Sequence, residues 1–320
     1  MRKRSKPMNF WKYLVCNGLG LALLLTWPGT SLAQDDLMNM LEDVSSSEEK
    51  REETKATFKS TRVINAQTTE TLKAQTLVFN INHRFGNVTT GGHGFFGFDE
   101  ASNIRFSFLY ALADQWMIGI GRSKVNEDID GNMKFRFLSQ TTDNKIPVSM
   151  AWYSNIVFTP RVSPQNPDGS DRWTKAAHRF SYTHQLIIAR KFSPLFSFEI
   201  LPTLVHRNYV LDLTNTSNGA KESNDLLALG FATRLKVTQR LAIVADYFYT
   251  FSEFRRLNSD FPYNDPLGIG IEIETGGHVF HVNVTNSSGI IENQFIPNTP
   301  DAWNDGDVKL GFNISRVFYL

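Results

Sequence analysis

Apolar and polar residues alternate along most of this chain, with the period of two that sends successive side chains to opposite faces of a β-strand. The pattern is clearest from Asp307 to Leu320, DVKLGFNISRVFYL. Val308, Leu310, Phe312, Ile314, Phe318 and Leu320 share one face, with Arg316 the exception, and Lys309, Gly311, Asn313 and Ser315 share the other. The signature recurs from Leu72 onward. Leu77, Phe79 and Ile81 oppose Asn80, Asn82 and Arg84; Ile104, Phe106 and Phe108 oppose Arg105 and Ser107; Met133, Phe135 and Phe137 oppose Lys134 and Arg136. Later come Phe196, Phe198 and Ile200 against Ser197, Glu199 and Arg207, then Leu229, Phe231 and Leu235 against Arg234 and Lys236. Ile243 and Tyr247 stand against Asp246, and Ile269, Ile271 and Ile273 against Glu272 and Glu274. About twelve such segments are expected, each roughly as long as a membrane-crossing strand.

The connections between them alternate in length. Short ones fall at Ala113–Gln115, Thr141–Lys145, Ser193-Pro194, Thr238–Arg240 and Thr275–Gly277; long ones run over 86–102, 124–132, 161–178, 212–225, 252–266 and 286–307. Tight turns at one end and large loops at the other are the habit of bacterial outer-membrane barrels. Backbone groups left unpaired in lipid are prohibitively costly, so such a sheet must close on itself. The expected fold is all-β: a transmembrane antiparallel up-and-down β-barrel over 72–320, with both chain termini on the periplasmic, short-turn side of the outer membrane.

Composition refines this picture. Aromatics make up 12% of the chain, 25 of them Phe, enough for a lipid face and interfacial girdles. Mean hydropathy is slightly negative, −0.27, as suits a polar lumen and polar loops. Residues 1–33 read as a secretory signal. Arg2, Lys3, Arg4, Lys6 and Lys12 precede an apolar run from Tyr13 to Trp27, and Ser31-Leu32-Ala33 supplies a cleavage site, so the mature chain is expected to begin at Gln34. Cleavage lowers Lys plus Arg from 33 to 28 against 32 acidic residues and removes Cys16, the single cysteine. A disulfide or a thiolate site is then excluded, and the near-balanced charge gives no reason to expect a nucleic-acid partner. Residues 34–71 are expected to be a polar, largely disordered periplasmic extension. Its core, SSSEEKREETK, lacks the apolar content to fold, and a periplasmic partner could dock on 34–59. Thr61 to Leu72 admits two readings: a segment tucked inside the barrel or an extra pairing strand.

The polar face collects charges of both signs. Arg84, Arg105, Lys134, Arg136, Arg207, Arg234, Lys236 and Lys309 stand against Glu199, Asp246, Glu272 and Glu274. They either line a narrow or gated pore for small solutes, selecting them by a transverse field, or pair across the lumen and close it. The closed alternative makes the protein a structural or partner-binding barrel. Enzyme chemistry finds little support. A barrel lipase needs Ser, His and an orienting group on the lipid face. His83, His184 and His206 fall on outward registers, but Ser181 and Ser197 face inward. His278 and His281, three apart, lie on opposite strand faces, which argues against a shared metal. No cofactor is expected. Asn126–Asn132, NEDIDGN, has the oxygen density of a calcium loop without its spacing and reads better as a polar loop among lipopolysaccharide and its cations. Gly91–Phe98, GGHGFFGF, could fold inward as a constriction or form an interfacial aromatic cluster.

Two resemblances add to this reading. Asn313, Ser315, Phe318 and Leu320 resemble the C-terminal signal recognised by the outer-membrane barrel assembly machinery. FKSTRVINAQTTET, INHRFG, GFFGFDEASNIRFSF, ALADQWMIGIGRSK, DGNMKFRFLSQ, RFSYTHQLIIARKF and PTLVHRNYV resemble a family of outer-membrane β-barrel proteins of unknown function from Gram-negative bacteria. The resemblance implies the fold and contact with outer-membrane lipid and lipopolysaccharide. It implies no catalytic residues.

Overall fold

A computed structural model describes residues 52–275 and 278–319. The expected signal peptide, the expected tail over 34–51 and Leu320 lie outside the described residues.

Twelve strands form one closed antiparallel sheet, each paired with its sequence neighbours and β1 with β12. They are β1 (Thr76–Asn87), β2 (Ala101–Ala113), β3 (Trp116–Ser123), β4 (Ile129–Leu138), β5 (Ser149–Phe158) and β6 (Phe180–Lys191), followed by β7 (Phe196–Arg207), β8 (Asp225–Lys236), β9 (Leu241–Phe251), β10 (Leu267–Thr275), β11 (His278–Thr285) and β12 (Lys309–Tyr319). The closing pair runs in register from Thr76 opposite Tyr319 to Arg84 opposite Gly311, which leaves no free edge. β1 begins and β12 ends at the short-turn end.

The period-2 pattern sorts the side chains as the alternation requires. Phe106, Phe108, Ile120, Phe135, Phe137, Trp152, Ile156, Leu227, Ile243, Ile271 and Val282 are exposed on the outer surface. They are spread over most of the strands, an apolar surface far larger than a soluble monomer carries. The inner face is polar and charged. The aromatic stretch after β1 stays outside: Phe95 and Phe96 are exposed, and Phe98 packs on Phe85 at 4.8 Å between ring centres. It is not a constriction.

The strand lengths depart from expectation in one place. β4 begins at Ile129, so Asp130 and Gly131 are strand residues rather than loop. Asp130 is fully buried and paired with Arg105, and Asp128 accepts from Thr159 Oγ1 at 2.6 Å and Gln294 Nε2 at 2.9 Å. The oxygen-rich NEDIDGN stretch is therefore spent on structural contacts. Among the described residues no cluster of three or more His, Cys, Asp or Glu side chains could hold a metal.

The barrel is filled from both ends. From the short-turn end, residues 58–70 enter the lumen as a hairpin. Arg62 and Gln67 form a bridge, Val63 N donates to Ala66 O at 2.8 Å, and Thr68 N donates to Thr61 O at 3.1 Å. Phe58, Val63, Ile64 and Ala66 are almost completely buried. From the long-loop end, the β11–β12 connection folds inward and carries a one-turn helix, α1 (Glu292–Phe295). Its Ile290, Ile291, Phe295 and Ile296 are fully buried. Phe58, Val63, Ile64, Phe295 and Ile296 join wall residues that include Phe248, Ile187 and Leu201 in one apolar cluster. Twelve strands enclose more space than the small barrels whose own side chains fill the interior, and here two chain segments supply the filling.

Within the expected 34–71 extension, residues 58–70 are an ordered plug. Thr61–Leu72 is the inside segment of the two readings, not an extra wall strand. Residues 52–54 meanwhile lie along the β4–β5 connection, where Thr54 N donates to Gln140 O at 2.7 Å.

Candidate functional site

The tip of the hairpin is held by the charged wall. Ile64, Asn65 and Ala66 present three consecutive backbone N–H groups, which converge on Asp246 Oδ2 of β9 at 3.1, 2.5 and 2.9 Å. Asn65 Nδ2 reaches Asp246 Oδ1 at 3.1 Å. Consecutive N–H groups in a turn form a concave anion site, and the carboxylate fills it. The carbonyls of the tip point the other way. Arg84 Nη2 of β1 donates to Ile64 O at 3.1 Å, and Asn313 Nδ2 of β12 donates to Val63 O and Ile64 O at 3.1 and 3.2 Å. Lys134 Nζ of β4 donates to Thr61 O and Thr68 O, at 2.7 and 2.8 Å, which joins the two arms of the hairpin. Gly268 of β10 makes room for this fit: a Cβ there would stand 2.9 Å from both Asp246 Oδ1 and Ile64 Cγ2.

Where the two plugs meet, Arg62 is the link. Its guanidinium donates to Ile290 O and pairs with Glu292 at 3.1 Å, and Gln67 Nε2 reaches Glu292 Oε1 at 3.2 Å. The inward loop is pinned to the wall by Asn103 Nδ2 to Ser288 O at 3.0 Å and Thr183 Oγ1 to Asn293 Oδ1 at 2.8 Å. A cavity of about 40 Å³ remains beside the hairpin, bordered by Ser60, Arg62, Asn82, Arg105 and His281. That is room for a water or two, not for a solute path.

All twelve charges named from the sequence stand at inward-facing positions, but they are not brought into one field. Arg84, Lys134 and Asp246 grip the hairpin. Arg234 pairs with Glu272 at 2.8 Å, and His281 Nε2 adds a contact to the same carboxylate at 3.1 Å. Glu274 meets Lys59 below the hairpin at 2.9 Å. Arg105, Arg207 and Lys309 find loop or strand acids the sequence reading left out: Asp130, Glu222 and Asp301. Glu199 is fully buried beside Lys134 and the backbone of Thr69, and Arg136 and Lys236 stand half-buried towards the short-turn end. Of the four residues of the terminal signal, Asn313 binds the hairpin, Ser315 faces inward, Phe318 faces outward opposite Leu77, and Leu320 lies outside the described residues.

The wall also holds one Ser–His pair that the sequence reading missed. Ser154 of β5 and His184 of β6 are cross-strand neighbours on the outer face, with Ser154 Oγ 3.0 Å from His184 Nδ1. Their contact depends on the β5–β6 register, which alternation alone does not provide. Trp152 Nε1 donates to the same hydroxyl at 2.8 Å. Among the described residues no carboxylate or amide is hydrogen-bonded to the other imidazole nitrogen, so the orienting member of a triad is missing.

Above the inward loop, the long-loop end opens into a vestibule of about 560 Å³. Four arginines line it, Arg161, Arg172, Arg207 and Arg255, with one carboxylate, Glu222, and the rings of Trp173, Tyr209 and Tyr263. Glu222 accepts from Arg207 Nη2 at 2.7 Å and from Arg255 Nη1 and Nη2, both at 2.9 Å. Burial pushes its pKa up, but the two guanidiniums outweigh burial and hold the carboxyl below the usual glutamate range. A depressed folded pKa contributes stability above the unfolded value, and that contribution is lost as pH falls through the folded one. Protease protection of the 208–224 and 252–266 loops is therefore expected to hold at neutral pH and to fall below the ordinary value of 4.5. Glu222→Gln should remove that acid step and leave the loops less protected at pH 7.

A family of membrane-bound β-barrel domains, DUF5777, matches residues 58–318, from the first residue of the plug to the last strand. The chain belongs to this family. No curated protein matches it. Among solved structures it is similar to the NanC porin, with 6% identity and a TM-score of 0.45 over 76% of this chain and 99% of that one. The COG4313 outer membrane channel from Pseudomonas putida F1 gives 10% identity and 0.44 over 80% and 100%. Omp33 of Acinetobacter baumannii gives 10% identity and 0.37 over 77% and 99%. Membership in the family accounts for the apolar outer surface, and the matched region includes the plug hairpin.

Proposed function

We propose that this member of the family is an outer-membrane pore for small solutes, closed at rest by the 58–70 hairpin and the inward β11–β12 loop. Its short turns and both termini would face the periplasm. The observation that carries the reading is how the hairpin is held. Its tip is fixed by side-chain grips on backbone groups, from Asp246, Arg84, Lys134 and Asn313, rather than by strand pairing with the wall. Each grip exchanges readily for water, and the wall left behind is charged and hydratable. A periplasmic partner bound to residues 34–59 would act directly on the hairpin, because the two segments are continuous in the chain.

One observation favours the alternative, a permanently closed barrel that serves as a scaffold or binding partner. The apolar cluster crosses the lumen, and separating Phe58 and Ile64 from Phe295 and Ile296 costs hydrophobic contact. Planar-bilayer recording of the intact mature chain tests the two. A gated pore gives a closed baseline broken by brief unitary openings, which lengthen in mild urea before the barrel loses its heat-modifiable mobility on gels. Inserted barrels that stay silent up to the unfolding range would sink the pore reading.

A further inference from the structure

The vestibule carries an excess of positive charge, four arginines against one lining carboxylate. Glu222 neutralises one of the four lining arginines, while Arg207 and Arg255 are held in place by it. Neither Arg161 nor Arg172 forms a salt bridge among the described residues; Asp128 lies within electrostatic reach of Arg161, and Arg172 Nε donates to Gln165 O at 3.0 Å. The Arg161 guanidinium lies 5.6 Å from the centre of the Trp173 ring, and Arg179 lies 5.0 Å from the same ring. Nε of Arg161 and Nε of Arg207 are buried without a hydrogen-bond partner. Buried donors left unmade are costly, and they recur where a ligand completes the site. A cavity of this size, with a few charged groups set among rings, has the form of a small-molecule pocket.

We propose that the vestibule binds a small organic anion, a carboxylate or phosphate carried on a flat apolar body. The guanidinium forks of Arg161 and Arg172 would take the oxyanion, and Trp173 and Tyr209 would take the flat body. Asn293 and Gln294 form part of the vestibule floor and also hold the inward loop to Ser181 and Asp128. A ligand there touches the groups that keep that loop in the lumen. The proposal names the solute class of the pore reading, and it rests on that reading only for the effect of binding on the loop.

The test reads binding alone, so it succeeds or fails independently of conductance. The intact mature chain, folded in zwitterionic detergent, is titrated with benzoate, neutral benzamide and cationic benzamidinium, followed by calorimetry and tryptophan fluorescence. Benzoate should bind saturably and quench fluorescence, and Trp173→Phe should abolish the quench. Benzamide and benzamidinium should bind roughly tenfold more weakly or worse, as should benzoate to Arg161→Gln/Arg172→Gln. Arg161→Lys, which keeps the charge, should lose less than Arg161→Gln. Heat-modifiable mobility confirms that each variant is folded. Equal binding of benzamide, unchanged benzoate affinity in the folded double variant, or no saturation by benzoate in the millimolar range would overturn the assignment. Micellar lipid A carries the same phosphate chemistry on a membrane lipid. If it displaces benzoate, the site belongs to a lipid headgroup and the solute assignment fails; if it does not, the solute assignment stands.

Discussion

A chain lacking residues 58–70 is expected to conduct steadily where the intact chain is closed. The deletion removes Phe58, Val63, Ile64 and Ala66 from the middle of the lumen, together with the backbone that Asp246, Arg84, Lys134 and Asn313 now bind. Those four side chains then face water, which satisfies them as well as the hairpin did. The ends of the cut segment are near each other, since Phe58 N donates to Glu70 Oε1 at 3.1 Å, so the chain can rejoin without strain on β1. The wall is unaffected because its strands pair only with one another. The inward loop stays, pinned by Asn103, Thr183 and Tyr263 Oη to Ile296 O at 2.9 Å, so the opening is partial. Further deletion of 290–296 should widen it. Liposome swelling with sugars of increasing size would rank the three forms. A hairpin-deleted barrel that inserts and remains silent would show that the loop alone is the barrier and that the hairpin is not a gate.

The wall of this molecule was legible in its sequence because each strand is read locally. Alternation alone assigned Arg84, Arg105, Glu199, Asp246 and Glu272 to the inner face, and the structure puts them there. The alternating connection lengths were also local. The filling of the lumen was not legible in the same way. TRVINAQTTE has neither period, because a plug hairpin is surrounded on all sides and needs no face. Only its short apolar VINA, inside a Thr-rich polar stretch, sets it apart. The inward loop carries a stronger signal: GIIENQFIP is too apolar for a solvated loop, and four of its residues are in the core. Pairings across the barrel were beyond reach for another reason. Arg105 with Asp130, and Ser154 with His184, depend on register and shear, which no single strand encodes. Asp130 was also lost to a loop that turned out to be the start of β4.

The hairpin's hold on the wall rests most heavily on one carboxylate, so Asp246→Ala is expected to release it. Asp246 is the acceptor for three backbone N–H groups and for Asn65 Nδ2, whereas Arg84 and Asn313 bind carbonyls, which have spare lone pairs and tolerate the loss of a partner. Removing it strands four buried donors, the three backbone N–H groups and Asn65 Nδ2, beside Arg84, whose charge then loses the attraction of that carboxylate. Hydrogen bonds to a charged group are worth about 1.5–3 kcal/mol each, and release to water recovers part of that, so a net loss of about 4 kcal/mol is reasonable. That corresponds to roughly a thousandfold rise in the released population. Expressed from Gln34 the chain has no cysteine, so Ala66→Cys gives a single reporter at the fully buried tip. Its maleimide labelling should be slow in the otherwise native chain and faster by about that factor with Asp246→Ala. Asp246→Asn should fall between, because its amide oxygen still accepts while its NH2 group faces donors. Labelling that stays slow in a folded Asp246→Ala barrel would mean that the apolar cluster, not the carboxylate, holds the hairpin. The closed-barrel reading would then be the better one.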